Sequence, residues 1–441
     1  MKQQPTVGIY TLGCKVNQYE SEAIAEAFRN EGFVVLPPSA RADLYIINTC
    51  TVTAESDRKA RQFIRRAIHQ NPDALVFVTG CFSLVRPEDV AKIEGVDYIC
   101  GNAEKLSVVA EAKKRLNEKK KASPVISVPS LENAPFEAMQ IASFDRTRAY
   151  VKIEDGCENK CAYCIIPSAR GPVRSKPIPD VVEEVRALTA AGCPEVVLTG
   201  IEIASYGKDL ENTSLADLLE ALDRIPGIGR IRLGSLDPSV AKQAFVDRLS
   251  KIRALAPHFH LSLQSGSDKV LAAMKRKYNA TQAMEAMERL KKAFPDAQFT
   301  TDIIVGFPGE DEEEFEKTLH FAEKARFLMI HVFPYSRRRG TVADRLPNQV
   351  PEEIKHERAA RLAALRDEVR ARILQSEVGK TYPVLFETDE EDYAVGHTPN
   401  FLEIKCKTET PLHGKTFPVQ VVKATENELI GSILPAAVEK T

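Results

Sequence analysis

The stretch Gly156-Cys-Glu-Asn-Lys-Cys-Ala-Tyr-Cys-Ile-Ile-Pro167 contains three cysteines in the pattern Cys-x3-Cys-x2-Cys, at Cys157, Cys161 and Cys164. Three thiolates on one loop can hold three irons of a cubane iron–sulfur cluster, which leaves the fourth iron open to a substrate or cofactor. A structural zinc site would need four protein ligands, and no further Cys or His follows at close spacing. Three unrelated thiols are the plain alternative, but the regular spacing favours a cluster.

The cysteine loop stands near the start of a long alternation of strand and helix patterns, from about residue 148 to 375. The strands predicted there are 149–154, 195–200, 230–235, 258–264, 298–305 and 327–333. Six strands are too few for a closed eight-stranded barrel. We therefore expect a partial (β/α)6 barrel with its site at the carboxyl ends of the strands.

The segment before the barrel, residues 1–116, shows the same alternation on a smaller scale. It is predicted to contain buried strands at 6–12, 43–48 and 75–80 and helices at 20–30 and 56–69. Strands separated by helices of this length predict a parallel α/β sandwich with helices on both faces of the sheet. Residues 117–147 contain a charged Lys-rich run and several prolines, and are predicted to be a linker.

Three more cysteines, Cys14, Cys50 and Cys81, are far apart in the sequence, but each directly follows a predicted strand of the first domain. Because the carboxyl ends of parallel strands meet at one edge of a sheet, the three thiols could converge there. The alternative is that they are buried and act as small apolar side chains. The cysteines without such a setting are Cys100, Cys193 and Cys406. A core thiol is the better interpretation of Cys100, although it could also be a fourth cluster ligand.

The tail, residues 376–441, follows a basic helix predicted at 352–376 and shows only strand patterns. These strands are predicted at 382–387, 401–405, 417–423 and 428–433, which suggests a small all-β barrel. Residues 374–441 contain 6 Lys and Arg against 11 Asp and Glu, a poor balance for a general phosphate binder. RNA binding there would need a local basic patch or an exposed aromatic side chain such as Phe401.

The whole chain has 441 residues, of which 44% are hydrophobic and 28% charged, with 60 basic and 62 acidic residues. This composition is typical of a globular protein of roughly three domains, and it excludes a disordered or fibrous chain. No long apolar stretch or amino-terminal signal pattern is present, so we expect no membrane association and a cytoplasmic location. Nine cysteines are too sparse for a disulfide scaffold, which favours metal binding or catalysis. Any nucleic-acid site must be local, because the net charge is close to zero.

The Cys157–Cys164 motif, with Tyr163 before its third cysteine, resembles that of radical S-adenosylmethionine (SAM) enzymes. In that family the three cysteines hold a [4Fe-4S] cluster, and the reduced cluster splits SAM into methionine and a 5′-deoxyadenosyl radical. The combination with Cys14, Cys50 and Cys81 and with the β-rich tail resembles the methylthiotransferase family specifically. This resemblance implies a second [4Fe-4S] cluster on those three cysteines, a catalytic role for all six, and a tail similar to an RNA-binding TRAM barrel.

The resemblance also implies that SAM is held near the cysteine loop and the ends of the barrel strands. The candidate SAM contacts are Tyr163, Gly200, Glu202, Ser235, Gln264 and Asp302. A glycine at position 200 would permit close approach of the backbone. A solvated loop carboxylate is the alternative for Glu202, and helix capping is the alternative for Ser235 and Gln264.

Two basic clusters are candidates for phosphate contacts. Arg58, Arg61 and Arg65 fall on one face of the helix predicted just after the second cysteine of the first domain. Arg337 and Arg338 follow the last predicted barrel strand, at the site end of the barrel. Most such runs are solvated surfaces, but the position of these two beside the predicted clusters favours contact with RNA.

The motifs Leu12-Gly-Cys-Lys-Val-Asn-Gln-Tyr-Glu-Ser21 and Asn48-Thr-Cys-Thr-Val-Thr53 resemble one branch of the family most closely. That branch converts N6-threonylcarbamoyladenosine, adjacent 3′ to the anticodon in tRNA, into its 2-methylthio derivative. The C2–H bond of adenine is not acidic, so a radical is needed to activate it. The base must also leave the stack of the anticodon loop to reach the radical.

The partners implied by the resemblance are the tRNA anticodon loop, an electron donor such as flavodoxin or ferredoxin, and a sulfur donor. Two alternatives remain open at the level of the sequence. The first is the same chemistry on N6-isopentenyladenosine in tRNA or on an aspartate of a ribosomal protein. The second is a non-catalytic iron–sulfur protein that binds RNA as a regulator.

Overall fold

The computed structural model describes residues 4–116, 123–142, 144 and 146–435. Its first unit is a parallel sheet with the strand order β2-β1-β3-β4-β5-β6. The strands are β1 (Thr6–Thr11), β2 (Val34–Leu36), β3 (Leu44–Thr49), β4 (Leu75–Gly80), β5 (Tyr98–Cys100) and β6 (Val125–Ser127). The helices are α1 (Lys15–Asn30), α2 (Ala54–Gln70), α3 (Cys81–Val85), α4 (Pro87–Ala91) and α5 (Ser107–Arg115).

Helices cover both faces of this sheet, as the sequence predicts. Helices α1 and α5 pack on one face, where Phe28 and Val108 meet Phe77. Helices α2 and α4 pack on the other, where Ile64 and Val90 belong to the same apolar cluster as the sheet. Strands β3 and β4 are buried at every position, which is typical of central strands in a doubly covered parallel sheet.

The structure corrects the prediction of a linker over residues 117–147. Val125–Ser127 pairs in parallel with β5, so part of this stretch forms the sixth strand of the first sheet. Met139 and Ile141, further along, belong to the core of the next unit. A three-residue strand is too short to show an alternating pattern, so the sequence gives no signal for β6.

The second unit is an open half-barrel. Its strands are β7 (Arg148–Lys152), β8 (Glu154–Asp155), β9 (Arg174–Ser175), β10 (Glu195–Thr199), β11 (Arg230–Leu233), β12 (Ser235–Leu236), β13 (His258–Gln264), β14 (Gln298–Val305) and β15 (Met329–Pro334). Its helices are α6 (Ile166–Arg170), α7 (Ile178–Ala190), α8 (Leu215–Asp223), α9 (Gln243–Leu249), α10 (Asp268–Ala273), α11 (Ala280–Ala293), α12 (Glu312–Ala325) and α13 (Glu352–Gln375).

The parallel strands run in the order β7-β10-β11 and then β12-β13-β14-β15, which confirms a six-stranded partial barrel. Strands β11 and β12 are one strand interrupted at Gly234, of which the first part pairs with β10 and the second with β13. Strands β8 and β9 form a small antiparallel ribbon beside the barrel. Helix α1 of the first unit packs on β7, and its residues Tyr19 and Ala23 belong to the barrel core. The first sheet is thus fixed against the barrel by α1.

The third unit is a closed barrel with the order β16-β17-β18-β20-β19. Its strands are β16 (Thr381–Glu390), β17 (Tyr393–His397), β18 (Glu403–Lys407), β19 (Thr416–Ala424) and β20 (Leu429–Ile433). The sequence analysis missed β17, which is short and contains a glycine. No helix in the described part of the chain is both long enough and apolar enough to cross a membrane.

Phe401 attaches this small barrel to the base of the half-barrel. Its ring stacks on His258 with centroids 4.5 Å apart, and the guanidinium groups of Arg232 and Arg148 lie 4.8 and 5.2 Å from the ring centroid. His258 and Arg148 begin β13 and β7, so the contact is at the end of the barrel opposite the cysteine loop. Phe401 is therefore a packing residue and does not provide the exposed aromatic side chain that RNA binding by the tail would need.

Candidate functional site

The cysteines of the first unit lie at the carboxyl ends of three neighbouring strands. Cys14 precedes α1 after β1, Cys50 follows β3, and Cys81 begins α3 after β4. Gly13 has a φ of +101°, and a Cβ atom there would lie 2.7 Å from the Cβ of Cys50. Only glycine permits this turn, which brings the loop of Cys14 against Cys50. We call these three residues the first triad.

The thiols of the first triad lie close enough to influence one another. Burial raises the pKa of Cys50 to about 11, and the neighbouring Cys81 and Cys14 raise it further. Burial also raises the pKa of Cys14, whereas the positive charge of Arg170 lowers it. All three are free thiols. The raised pKa values of Cys14 and Cys50 favour the neutral thiol. A coordinated metal would reverse this preference, because a thiol that ligates a metal is deprotonated.

The second triad, Cys157, Cys161 and Cys164, follows β8 and lines a cavity of about 840 Å³. Burial raises the pKa of Cys157 to about 11 and that of Cys164 to about 12. The backbone N–H of Asn159 donates to the Sγ of Cys157 at 3.4 Å. Three free thiols beside a cavity of this size fit a cubane cluster with one iron that has no protein ligand.

One arginine donates to a sulfur of the second triad. The Nη1 of Arg276 lies 3.2 Å from the Sγ of Cys161, and its Nη2 lies 2.8 Å from Asp237 Oδ2. Its Nε donates to the hydroxyl of Tyr278 at 3.1 Å. Hydrogen bonds to ligand sulfurs are one determinant of the reduction potential of a cluster. The sequence analysis missed Arg276, since it lies in a basic run that is indistinguishable from a solvated surface.

A second arginine, Arg170, donates to a sulfur of the first triad. It lies at the end of α6, the helix that directly follows the loop of the second triad. Its Nε lies 3.3 Å from Cys81 Sγ, and its Nη1 lies 2.6 Å from Glu20 Oε1 and 3.2 Å from Asp155 Oδ2. We call the charged side chains around it the buried ion cluster: Glu20, Lys105, Lys152, Asp155, Arg170 and Arg174. It joins the first unit to the half-barrel.

The buried ion cluster holds four cations against two carboxylates. Burial by itself would raise the pKa of Glu20, but Arg170, Lys105 and Lys152 hold it well below its usual range. Asp155 is held below its usual pKa range by Arg170 and Lys152 in the same way, so both carboxylates are charged. The buried Glu137 near Lys152 adds at most one more negative charge, so positive charge remains in excess. Buried charges are tolerated only when they are paired. Because Cys81 lies against Arg170, thiolates of the first triad would supply the missing negative charge, which fits a metal cluster at these three cysteines.

Two carboxyl groups near the second triad have buried oxygens without a hydrogen-bond partner, Glu154 Oε1 and Glu202 Oε1. The other oxygen of Glu154 accepts from the backbone N–H of Glu202 at 2.8 Å. Burial raises the pKa of Glu202 to about 7, and Asp237 raises it further. A cationic group such as the ammonium of SAM would satisfy both free oxygens. Burial of Glu202 Oε1 argues against the solvated loop carboxylate that the sequence left open.

Gly200 is required beside these carboxyl groups. A Cβ atom at this position would lie 2.6 Å from Glu154 Oε2. The sequence analysis selected Gly200 and Glu202 but missed Glu154, because a single acidic residue at the end of an apolar strand carries no signal of its role.

A smaller cavity of about 210 Å³ lies between the first unit and the mouth of the half-barrel, and we call it the interdomain cavity. Its walls include Val52, Tyr163, Cys164, Gln264, Asp302 and Phe333. Val52, two residues after Cys50, is 49% exposed, and Phe333 is 42% exposed. The cavity therefore joins the segment after Cys50 to the loop of the second triad and offers two exposed apolar side chains. Ser235, another candidate SAM contact from the sequence, lies on β12, opposite His260 of β13.

The floor of the interdomain cavity is polar. His260, Asp302 and His331 come from the neighbouring strands β13, β14 and β15, and one ligand atom of each lies within 4.8 Å of the others. Asp302 is directly opposite His331 in the sheet register, and His260 Nε2 lies 3.4 Å from Asp302 Oδ2. Because Asp302 also lines the interdomain cavity, these three residues form a layer just beneath it.

Lys15, the residue after Cys14, faces this layer from α1. Its side chain is accessible to solvent but has protein groups around it. The resulting desolvation and the charges of Arg148 and Arg232 lower its pKa, whereas the charge of Asp302 raises it. Lys15 also contributes to the lowered pKa of His331, whose main cause is burial. The ammonium of Lys15 therefore lies within electrostatic range of Asp302 and His331. We call the space between Lys15 and the layer of His260, Asp302 and His331 the chamber. The side chain of Lys15 has no hydrogen bond or ion pair with any residue that the structure describes.

Arg58 and Arg65, of the three predicted arginines of α2, are exposed. Arg58 is paired with Glu55 of the preceding turn. Arg61 is half-buried, with its guanidinium 5.8 Å from the ring centroid of Phe82. Arg65 is thus available to a phosphate, Arg58 would exchange Glu55 for a phosphate at the surface, and Arg61 is partly occupied by packing.

The two arginines after β15 differ from each other. Arg337 is exposed and paired with Asp344. Arg338 is only 4% exposed, and its Nη2 donates to Thr51 Oγ1 at 2.8 Å and to Asp57 Oδ2 at 2.7 Å. Arg338 therefore binds the half-barrel to the first unit, which corrects its prediction as an RNA contact. A run of arginines gives no indication of which one is buried.

The remaining cysteines belong to apolar cores. Cys100 packs in the same cluster as Phe77 and Tyr98, and burial raises its pKa to about 11. Cys193 lies in the core of the half-barrel and Cys406 in that of the closed barrel. The structure thus places Cys100 in a core of the first unit, the first of the two alternatives.

Two domain families match this chain. Residues 151–322 match the radical SAM superfamily, and residues 6–101 match a family described as uncharacterized protein family UPF0004. Among solved structures, the radical SAM methyltransferase TsrM from Kitasatospora setae has a TM-score of 0.54 at 15% identity and covers 76% of this chain and 73% of its own. At this identity the likeness supports the fold alone.

Relatives of known name match nearly the whole chain. The threonylcarbamoyladenosine tRNA methylthiotransferase MtaB of Bacillus subtilis is 41% identical, over 95% of this chain and 94% of its own. MtaB of Thermotoga maritima is also 41% identical, over 87% and 86%. The tRNA-2-methylthio-N(6)-dimethylallyladenosine synthase of Carboxydothermus hydrogenoformans is 35% identical, over 97% and 94%. Together with the radical SAM match, these relatives establish that the chain belongs to the family of radical SAM methylthiotransferases.

Proposed function

We propose that this chain converts N6-threonylcarbamoyladenosine in tRNA, adjacent 3′ to the anticodon, into 2-methylthio-N6-threonylcarbamoyladenosine. The observation that carries this proposal is the interdomain cavity, on which the segment after Cys50 and the loop of the second triad both open. Insertion of sulfur at a carbon needs a sulfur source and a radical source at the same atom. A cavity between the two triads is where one base could meet both.

The second triad would hold the [4Fe-4S] cluster to which SAM binds, and the first triad would hold a second [4Fe-4S] cluster. When bound, these groups supply the radical and the sulfur chemistry. The fit of the first triad rests on the excess positive charge of the buried ion cluster against Cys81. The fit of SAM rests on the partnerless oxygens of Glu154 and Glu202, which would accept hydrogen bonds from its ammonium group.

The protein's own side chains would position the base. Val52 and Phe333 offer apolar surface on the walls of the interdomain cavity, and a purine extruded from the anticodon loop could pack on such side chains. Gln264, the last residue of β13, has a φ of +75° and lines the same cavity. These residues would orient the base and keep water from the reacting carbon.

The partners proposed are the tRNA anticodon loop, an electron donor such as flavodoxin or ferredoxin, and a sulfur donor. Three domains would share the work: the first unit, which includes β6, for the first triad, the half-barrel for SAM, and the closed barrel of β16 to β20 as a TRAM-like domain. The closed barrel is fixed to the far end of the half-barrel, so its contact with tRNA would be outside the reacting base.

The test is mass spectrometry of tRNA nucleosides after reaction with the anaerobically reconstituted protein, SAM, sulfide and a reductant. We expect the methylthio derivative only with tRNA that carries N6-threonylcarbamoyladenosine. Modification of N6-isopentenyladenosine tRNA or of a ribosomal protein instead would keep the chemistry but contradict the substrate. Tight tRNA binding without cleavage of SAM would support the regulator.

Arg58→Ala combined with Arg65→Ala should weaken tRNA binding and flatten its salt dependence. Each phosphate contact on a single-stranded loop contributes about −0.7 to the slope of log affinity against log salt. We therefore expect the magnitude of this negative slope to decrease by about one to two units. The measurement is tRNA affinity over a salt series.

Lys113→Ala combined with Lys114→Ala is the matched control, because α5 lies on the opposite face of the first sheet. The placement of tRNA along α2 is wrong if the control flattens the slope as much as the arginine pair does.

A further inference from the structure

The chamber beneath the interdomain cavity contains a cation without a partner. Lys15 is exposed there, while the arginines nearest to it are already paired: Arg232 Nε lies 2.6 Å from Glu195 Oε1, and Arg148 pairs with Glu387. An unpaired ammonium in a confined chamber favours an anionic group. The fold gives Lys15 no structural partner among the described residues, so its charge is free for a ligand.

The layer opposite Lys15 can accept and donate hydrogen bonds. His260 Nδ1 is 2.9 Å from Thr300 Oγ1, which leaves its Nε2 beside Asp302. His331 and Asp302 face each other across β14 and β15. One carboxylate and two imidazoles suit hydroxyl and N–H groups. With Lys15, the chamber matches a small polar group that carries a carboxylate at its end.

The chamber lies next to the position that the base would occupy in the interdomain cavity. Asp302 and His331 lie two residues before Ile304 and Phe333 on the same strands, and side chains two apart point to the same face of a sheet. Ile304 and Phe333 line the interdomain cavity, and Asp302 lines it from below. A substituent on a base held in the cavity would therefore reach the chamber.

We propose that this chamber is the specificity site of the enzyme: it receives the N6 substituent of the adenosine, with Lys15 binding the carboxylate of the threonyl group. His260, Asp302 and His331 bind its hydroxyl and ureido groups, so Asp302 contacts the substrate instead of SAM, for which the sequence made it a candidate. This inference rests on the proposed function, because its substrate is the one proposed there. An isopentenyl group has no polar atom to offer, and it would leave the ammonium of Lys15 without a partner, so the chamber discriminates against it.

The test compares the binding of three synthetic anticodon stem-loops that differ only at the modified base: threonylcarbamoyladenosine, isopentenyladenosine and unmodified adenosine. The proteins are wild type, Lys15→Met, Lys15→Arg and the exposed control Lys92→Met. We expect wild type and the control to prefer the threonylcarbamoyl stem-loop, and Lys15→Met to lose about ten- to a hundredfold of that preference. Lys15→Arg should keep most of it, because the charge is retained.

The outcomes separate this inference from the proposed function. Absence of a methylthio product from every tRNA in the nucleoside assay would contradict the proposed function. A wild type that modifies threonylcarbamoyladenosine, together with a Lys15→Met variant that keeps its full preference, would overturn only the specificity site. One equivalent of Zn²⁺ bound beyond the iron, and lost in His331→Phe, would also overturn it, because the layer would then be a metal site.

Discussion

Cys161→Ala should abolish formation of 5′-deoxyadenosine, whereas Cys50→Ala should leave SAM cleavage measurable and abolish only the methylthio product. The reason is the separation of the triads: Cys161 belongs to the loop beside Glu154 and Glu202, and Cys50 to the sheet edge of the first unit. Loss of one ligand should impair one site and leave the other assembled. The two products are measured by chromatography after a single anaerobic incubation.

Iron content provides the second readout of the same division. Two cubanes predict about eight irons in the reconstituted wild type and about four in a triple alanine variant of either triad. Cys100→Ser is the matched control, because Cys100 is buried in the same unit as the first triad but lies in its apolar core. It should retain about eight irons. A wild-type value near four that does not change when the first triad is removed would eliminate the second cluster.

The positions of the six cysteines were accessible from the sequence because each depends on local information. The second triad is contiguous, and the first follows from the rule that parallel strands end at one edge. Gly13 and its turn are equally local. The fold of the half-barrel was predictable for the same reason, since its strands and helices carry strong patterns of hydrophobicity.

The surroundings of the cysteines were not accessible, because they depend on contacts between distant residues. Arg170 and Glu20 are 150 positions apart, and nothing in either local sequence shows that they meet. Arg338 and Arg337 are adjacent and chemically identical, but only one reaches Asp57. Lys15 is visible in the sequence, yet its exposure to a chamber depends on strands that begin more than 200 residues later.

Arg170→Met should lower the free energy of unfolding of the reconstituted protein by about 3–5 kcal/mol, the usual cost of removing one partner from a buried ion pair. It removes the shared donor to Glu20 and Asp155 as well as the hydrogen bond to Cys81. Arg170→Lys should rescue only part of the loss, because an ammonium cannot reach three partners in one plane as a guanidinium does. The control is Arg86→Met, whose pair with Asp89 is partly exposed and 3.8 Å long, and which should cost less than about 1 kcal/mol.

The same variant tests whether the excess positive charge of the buried ion cluster is matched to an anionic first triad. With iron bound and the cysteines deprotonated, Arg170 neutralises charge on Cys81, and its removal costs both the carboxylate and the sulfur contacts. Without iron, burial raises the pKa of Cys14 and Cys50 and so favours their neutral form, and the buried ion cluster already has cations in excess, so removal of one is partly offset by relief of repulsion. Urea unfolding of Arg170→Met and wild type, with and without reconstituted iron, should therefore show the larger loss in the iron-loaded proteins. Equal losses in both would mean that Arg170 only joins the two units and is not coupled to the first triad.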